Sequence, residues 1–166
     1  MRLSPSAKGA SLSEIEALYR ERFPEFRRVA AAIVGDRDAA LDVVQDAFGL
    51  AIKRRASFRG EGPLAAWVWR TVVNTALDHR RALPAVPAAV EGAIPPANGR
   101  PEEPAALATA VALLPERQRL ALFLRYYADL DYRTIAETLG IQVGTVAATL
   151  HAARAALRNA LSEVQS

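Results

Sequence analysis

Arg70, Asn74 and Arg81 recur at helical spacing in the run LAAWVWRTVVNTALDHRR, with Leu77 completing the stripe. One helix face would then carry two cations and an amide. Cations meet phosphate, and an amide can pair with a base edge, so this face suits nucleic acid. The loop before it, Ser57–Pro63, reads SFRGEGP and offers a glycine-rich backbone beside Phe58, Arg59, Gly60 and Glu61. A second polar stripe, Asp42, Asp46, Gly49 and Lys53, is spaced four, three and four residues apart. It lies opposite an apolar face of Leu41, Val44, Phe48 and Ala51, with Val43 and Ala47 beside it, so it is free to meet a partner. Covalent chemistry has little to work with. The two histidines, His79 and His151, fall in different halves of the chain, cysteine is absent, and no carboxylate pair is suitably spaced. Gly60 and Gly62 lack the Gly-Lys-Ser/Thr that completes a phosphate-binding loop, and no metal-ligand spacing occurs. The expectation is a protein that is not an enzyme and takes no cofactor.

The elements that must carry these residues are helices. A content of 51 % hydrophobic residues in 166 excludes general disorder, and no apolar run approaches the length that spans a bilayer. The start, MRLSPSAKGA, lacks the apolar segment of a secretory signal. Membrane insertion is therefore not expected, and a cytoplasmic location is. Charge is unequally divided. Residues 1–81 hold 14 Lys or Arg against 10 Asp or Glu, whereas residues 82–166 hold 7 against 8. The first half is the one biased toward polyanions.

After a polar tail over residues 1–12, Ser13 with Glu16 reads as a capping box. Ile15, Leu18, Tyr19, Phe23, Phe26, Val29, Ala30 and Ile33 follow as a helical stripe that Pro24 could kink or split and Gly35 ends. Asp36 or Asp38 caps a second helix through about Arg55. Pro63 suits the first turn of a third, through Arg81, with Trp67, Thr71, Thr75 and also Val68 inward and Trp69 pointing elsewhere. Residues 82–104, with six prolines and two glycines, have no helical period and read as a solvated linker reaching at most roughly 75 Å. Helices near 105–113, 116–128, 132–139 and 143–163 complete the chain. No segment alternates with period two, so the fold class is all-α. Two small helical domains, 13–81 and 105–166, are joined by a Pro/Ala-rich linker.

The last two helices form a helix-turn-helix. Leu130, Ile135, Ala136 and Leu139 share one face of a short helix, and Gly140 stops it because glycine takes the left-handed conformation without steric cost. Ile141 and Val143 follow, then Val146, Leu150 and Leu157 at helical spacing. The second helix of such a unit enters the major groove. Yet its first ten residues after Val143, GTVAATLHAA, contain no Lys or Arg.

In these blocks and their order the chain resembles a bacterial RNA polymerase sigma factor of the extracytoplasmic-function group. GDRDAALDVVQDAF is similar to that family's polymerase-binding helix, FRGEGPLAAWVWRTVVNTALDHRR to its promoter-melting and −10-reading segment, and LPERQRLALFLRYY with the helix-turn-helix to its −35-reading domain. The resemblance implies core RNA polymerase and promoter DNA as partners, and admits an anti-sigma factor. It assigns polymerase binding to Asp42, Gln45, Asp46 and Phe48. It assigns the −10 element to Phe58, Arg59, Gly60, Glu61, Arg70, Asn74, Arg80 and Arg81. The −35 element falls to Thr145, Ala147, Ala148, Thr149, His151, Arg154 and Arg158.

Two departures bear on function. Family members commonly place Arg or Lys before Asn74, where this chain has Val73. They usually carry a basic–Ser–Arg triplet and a further Arg in the recognition helix, where this chain has Ala147, Ala148, Thr149 and then Ala152 or Ala153. The reading is a sigma factor that directs promoter recognition and transcription initiation with weak or altered −35 reading. The alternative is a helix-turn-helix DNA-binding regulator, or a degenerate sigma-like protein that binds polymerase or a regulator without reading promoters.

Overall fold

The computed structural model describes residues 9–83 and 105–164, so most of the expected tail and linker lie outside the described residues. Seven α-helices are described: α1 Leu12–Val34, α2 Arg37–Arg54, α3 Leu64–Ala82, α4 Ala105–Ala112, α5 Glu116–Tyr126, α6 Tyr132–Leu139 and α7 Val143–Val164. A 3-10 turn, Arg55–Ser57, extends α2, and no strand occurs among the described residues. No described helix is long and apolar enough to cross a membrane.

The capping box of α1 lies two residues earlier than expected. Glu14 N–H donates to Ser11 Oγ (3.2 Å), and Ser11 N–H to Glu14 Oε2 (2.8 Å). The entry point is set from outside the helix: Ala10 is buried and its N–H donates to Arg55 O (2.9 Å), so residues 9–11 are not a free tail. Glu16 instead pairs with Arg20 along the helix. Pro24 does not split α1. Pro24 and Arg20 are both exposed, so the carbonyl that the missing N–H leaves unpaired can face water. Gly35, at φ 79°, ends the helix and Asp36 caps α2 through Asp38 N–H.

α1, α2 and α3 bury Phe26, Val29, Val44, Phe48, Val68, Trp69 and Val72. Phe26 packs on Trp69 with ring centroids 4.2 Å apart, and Phe48 meets both Phe26 and Tyr19 edge-on. Here the expected register of α3 is corrected. Trp69 is fully buried, with Val72, Val73, Ala76 and Leu77 on its face, while Trp67 is half-buried against Phe58. Thr71 and Thr75 are half-buried and turn their hydroxyls back to the carbonyls of Trp67 and Thr71. The sequence carries apolar residues on both sides of this helix, and the side with the longer aliphatic run takes the core.

α5, α6 and α7 enclose Leu120, Phe123, Leu124, Ile135, Val146, Leu150 and Ala153, with α4 lying against α7. Asp131 caps α6, accepting from Thr134 N–H at 2.7 Å. Gly140 ends it at φ 67°. Val143, the first residue of α7, is exposed. The two helical groups also touch: α3 packs on α6 and α1 on α5, so the apolar cluster runs through both.

The Thr134 backbone N–H, and then its hydroxyl, hold the Asp131 carboxyl below its ordinary range. A depressed carboxyl contributes its stability above the ordinary carboxylate range and loses it as pH falls through the folded value. Asp131→Ala should cost about 1 kcal/mol near neutral pH, as lost helix caps do. In urea titrations the gap from wild type should close as pH drops below that range. Asp131→Asn, which keeps an acceptor, should lose less and show no such pH dependence. A gap that persists in acid would remove the ionised cap from the account of α6.

Candidate nucleic-acid interface

Placed on this fold, the predicted residues fall into three surfaces. On α2, Asp42, Gln45 and Asp46 are exposed on the side away from α1 and α3, with Gly49 and Lys53 continuing the stripe. Phe48 is only 5 % exposed and belongs to the aromatic core, so it supports the α2 surface from beneath.

The second surface joins the loop 58–63 to α3. Arg59, Gly60 and Glu61 are exposed, and Phe58 is half-buried on Trp67. Arg70, Asn74, Arg80 and Arg81 are exposed along α3, but Leu77 leaves the stripe for the core. Arg81 pairs with Asp78 at 3.6 Å, an exposed i,i+3 pair of little energetic weight. Val73 is buried, so in this chain the position before Asn74 serves packing and offers nothing to a ligand. Sequence reasoning missed the half-buried Trp67, which its placement in the core had concealed.

The third surface is the start of α7. Thr145, Ala147, Ala148 and His151 are exposed, Thr149 is half-buried, and Arg158 is exposed further along. Arg154 is engaged elsewhere. Its Nε donates to Tyr126 Oη at 2.9 Å, and its guanidinium lies 5.8 Å from the centre of that ring. Arg125 is similarly placed 6.0 Å from the centre of Tyr132, and donates to Leu130 O. Neither tyrosine was expected at the site. The recurrence of Tyr126, Tyr127 and Tyr132 around Arg125 was the available signal. The exposed first turns of the recognition helix therefore hold two alanines, a threonine and a histidine, and the nearest cation is turned onto a ring.

The second and third surfaces approach one another. A cleft of about 540 Å³ separates the loop 57–63 and α3 from the C-terminal end of α6 and the turn after it. Further along the same seam, burial and then the like charge of nearby Arg80 make the Arg119 guanidinium easier to deprotonate than an ordinary arginine. Arg119 also donates to Ala112 O at 3.0 Å.

Comparison with known proteins converges on one family. Sigma-70 region 2 matches residues 18–83, and Sigma-70, region 4 matches residues 105–157. The RNA polymerase sigma-H factor of Pseudomonas aeruginosa is 32 % identical over 146 residues, covering 77 % of this chain and 76 % of that one. The ECF RNA polymerase sigma factor SigM of Mycobacterium tuberculosis is 33 % identical over 152 residues, covering 88 % and 76 %. In fold, the chain is similar to the sigma factor RpoE of Bartonella quintana, solved with the anti-sigma factor NepR. That match has a TM-score of 0.69 at 20 % identity and covers 91 % of this chain and 98 % of the other. With both sigma regions in order and these relatives along most of its length, the chain belongs to the extracytoplasmic-function group of RNA polymerase sigma factors, which direct promoter recognition and transcription initiation.

Proposed function

We propose a division of labour within this sigma factor. Residues 13–81 grip core RNA polymerase through Asp42, Gln45 and Asp46, and meet the displaced −10 strand through Arg59, Gly60, Glu61, Arg70, Asn74, Arg80 and Arg81. Residues 105–166 reach the −35 element weakly. The observation that carries the last point is the exposed start of α7, which offers Thr145, Ala147, Ala148 and His151 while Arg154 is held on Tyr126. Alanine gives apolar contact to a thymine methyl and no bidentate pairing, each of which is worth roughly 1–3 kcal/mol of discrimination. Initiation then leans on the −10 element, or on a polymerase contact or activator that holds the second domain in place. The protein works in the cytoplasm, where polymerase and DNA are. Its −10 and −35 surfaces act by binding alone, and neither His79 nor His151 is given a catalytic role. The Bartonella quintana relative was solved with an anti-sigma factor, and a partner of that class is proposed for this chain as well.

The polymerase surface is tested by reversing charge on α2. Asp42→Lys with Asp46→Lys should weaken core binding on the order of tenfold or more, in keeping with losses at charged interface contacts. Helical content should not change, because both side chains are exposed. Equal core affinity for variant and wild type in a titration would remove the assignment.

For −35 reading, scrambling that element should reduce run-off transcription less than scrambling the −10 element when only core polymerase is added. Ala147→Arg with Thr149→Arg should tighten duplex binding. It should also steepen the dependence of log K on log salt by up to about 2, since each phosphate neutralised contributes about 0.9. Equal loss from the two scrambled promoters would show that α7 reads bases as it stands.

A further inference from the structure

The chain enters α1 through a short segment that is fixed on two sides. On the helix side, Ser11 and Glu14 close the capping box. Ala10 and Ile15 hold the N′ and N4 positions and are both buried, the placement of a hydrophobic staple. On the other side the segment meets the 3-10 turn Arg55–Ser57. The carbonyl of Arg55 accepts the Ala10 N–H at 2.9 Å and the Phe58 N–H at 3.3 Å. Gly9, at φ 123°, runs along the backbone of the same turn. A Cβ on Gly9 would stand 3.2 Å from both Ala56 Cα and Arg55 O. Position 9 thus favours glycine twice over, by a backbone conformation that other residues rarely adopt and by an approach that leaves a methyl little room.

This turn is where the loop 58–63 departs. Phe58, the first residue of the loop, lies on Trp67 with ring centroids 5.7 Å apart. The carbonyl of Pro63, the last, accepts from Ala66 N–H at 3.1 Å at the start of α3. Between these ends Arg59, Gly60 and Glu61 are exposed. Their direction is therefore set by how the two ends are held.

We propose that Gly9 and Ala10 are positioning residues for the −10 loop. The proposal rests on the assignment of that loop to the −10 strand. Neither residue brings a cation or a base-pairing group. They hold the Arg55 carbonyl in place, and that carbonyl holds Phe58. Arg59 and its neighbours are then presented in one arrangement before the strand arrives. A loop ordered in advance spares binding the cost of ordering it. The capped end of α1, more than forty residues earlier in the chain, thereby serves as the anchor of a loop that follows α2.

The test uses the full chain with saturating core polymerase, on a promoter fragment that supports run-off transcription. Permanganate reactivity reads opening, and a separate titration reads affinity for core. Gly9→Ala should lower opening roughly threefold to tenfold, the size of an ordering cost now met on binding, with core affinity unchanged. Ala10→Leu overfills a buried position without adding charge, and should act in the same direction. Ile33→Val trims the core at the opposite end of α1 and should open like the parent. In the free protein, exchange of the Phe58 amide should quicken in both strap variants and not in Ile33→Val. Arg59→Ala should lower opening by itself, and adding Gly9→Ala to it should cost little more, because both act through one contact.

Unchanged Phe58 exchange in Gly9→Ala and Ala10→Leu would overturn the strap. Faster exchange with opening at the parent level, while Arg59→Ala lowers it, would overturn the positioning role. So would full additivity of Gly9→Ala with Arg59→Ala, or a matching loss of core affinity, since either marks general destabilisation. If Arg59→Ala opened like the parent, the −10 assignment of the loop would fall and the positioning role with it, and faster Phe58 exchange would leave the strap standing.

Discussion

The seating of Trp69 against Phe26 decides how this molecule presents itself. With that indole fully buried and its ring centre 4.2 Å from the phenyl, α3 has one available rotation about its axis. Aromatic pairs of this kind add about 0.5–1.5 kcal/mol beyond the area they bury. Among the described residues the indole N–H has no hydrogen-bond partner, which costs about 1–3 kcal/mol, so packing around it must outweigh that loss. The outward positions follow by helical period. Arg70 is the next residue in chain order and Asn74 lies one turn beyond it, so at about 100° per residue both emerge away from the buried indole. The face of α3 proposed to meet nucleic acid is thus a consequence of its core face. A change at Trp69 would reach that proposed surface without lying on it.

This dependence explains which features could be read from the chain alone. Gly35, Asp36 and Gly140 act locally, through a φ angle or a single cap bond, and each does what its residue type dictates. The rotation of α3 is not local. Trp67 and Trp69 are two residues apart and each begins a credible stripe, so only the shapes of α1 and α2 choose between them. Ser11–Glu14 and Ser13–Glu16 were likewise both valid boxes. The choice is made by Ala10, which is tied to Arg55 more than forty positions away. Phe48 sits on the boundary between stripe and core, and its neighbours Tyr19 and Phe26 draw it in.

The candidate site was legible to the same degree. Exposure of Asp42, Asp46, Arg70 and Asn74 follows from periodicity, because a charged or amide residue opposite a buried stripe has nowhere else to go. The fate of Arg154 could not be anticipated in that way. Spacing places it on α7, but its capture by Tyr126 depends on the end of α5 arriving beside it, 28 residues earlier in the chain. The cleft between α3 and α6 was equally hidden. Nothing in a proline-rich stretch states whether the domains on either side of it meet.

The outward face of α7 follows from its core face in the same way. Val146, Leu150 and Ala153 are fully buried, so Thr145, Ala147, Ala148 and His151 are left exposed at the start of the helix. Arg154, the nearest cation along the helix, is held on Tyr126 at 2.9 Å. Alanine offers a base edge apolar contact and no bidentate pairing, so the binding energy that the proposed −35 surface can contribute is small. On the division of labour proposed above, contact between this domain and the promoter then depends on whatever else holds the domain beside the DNA.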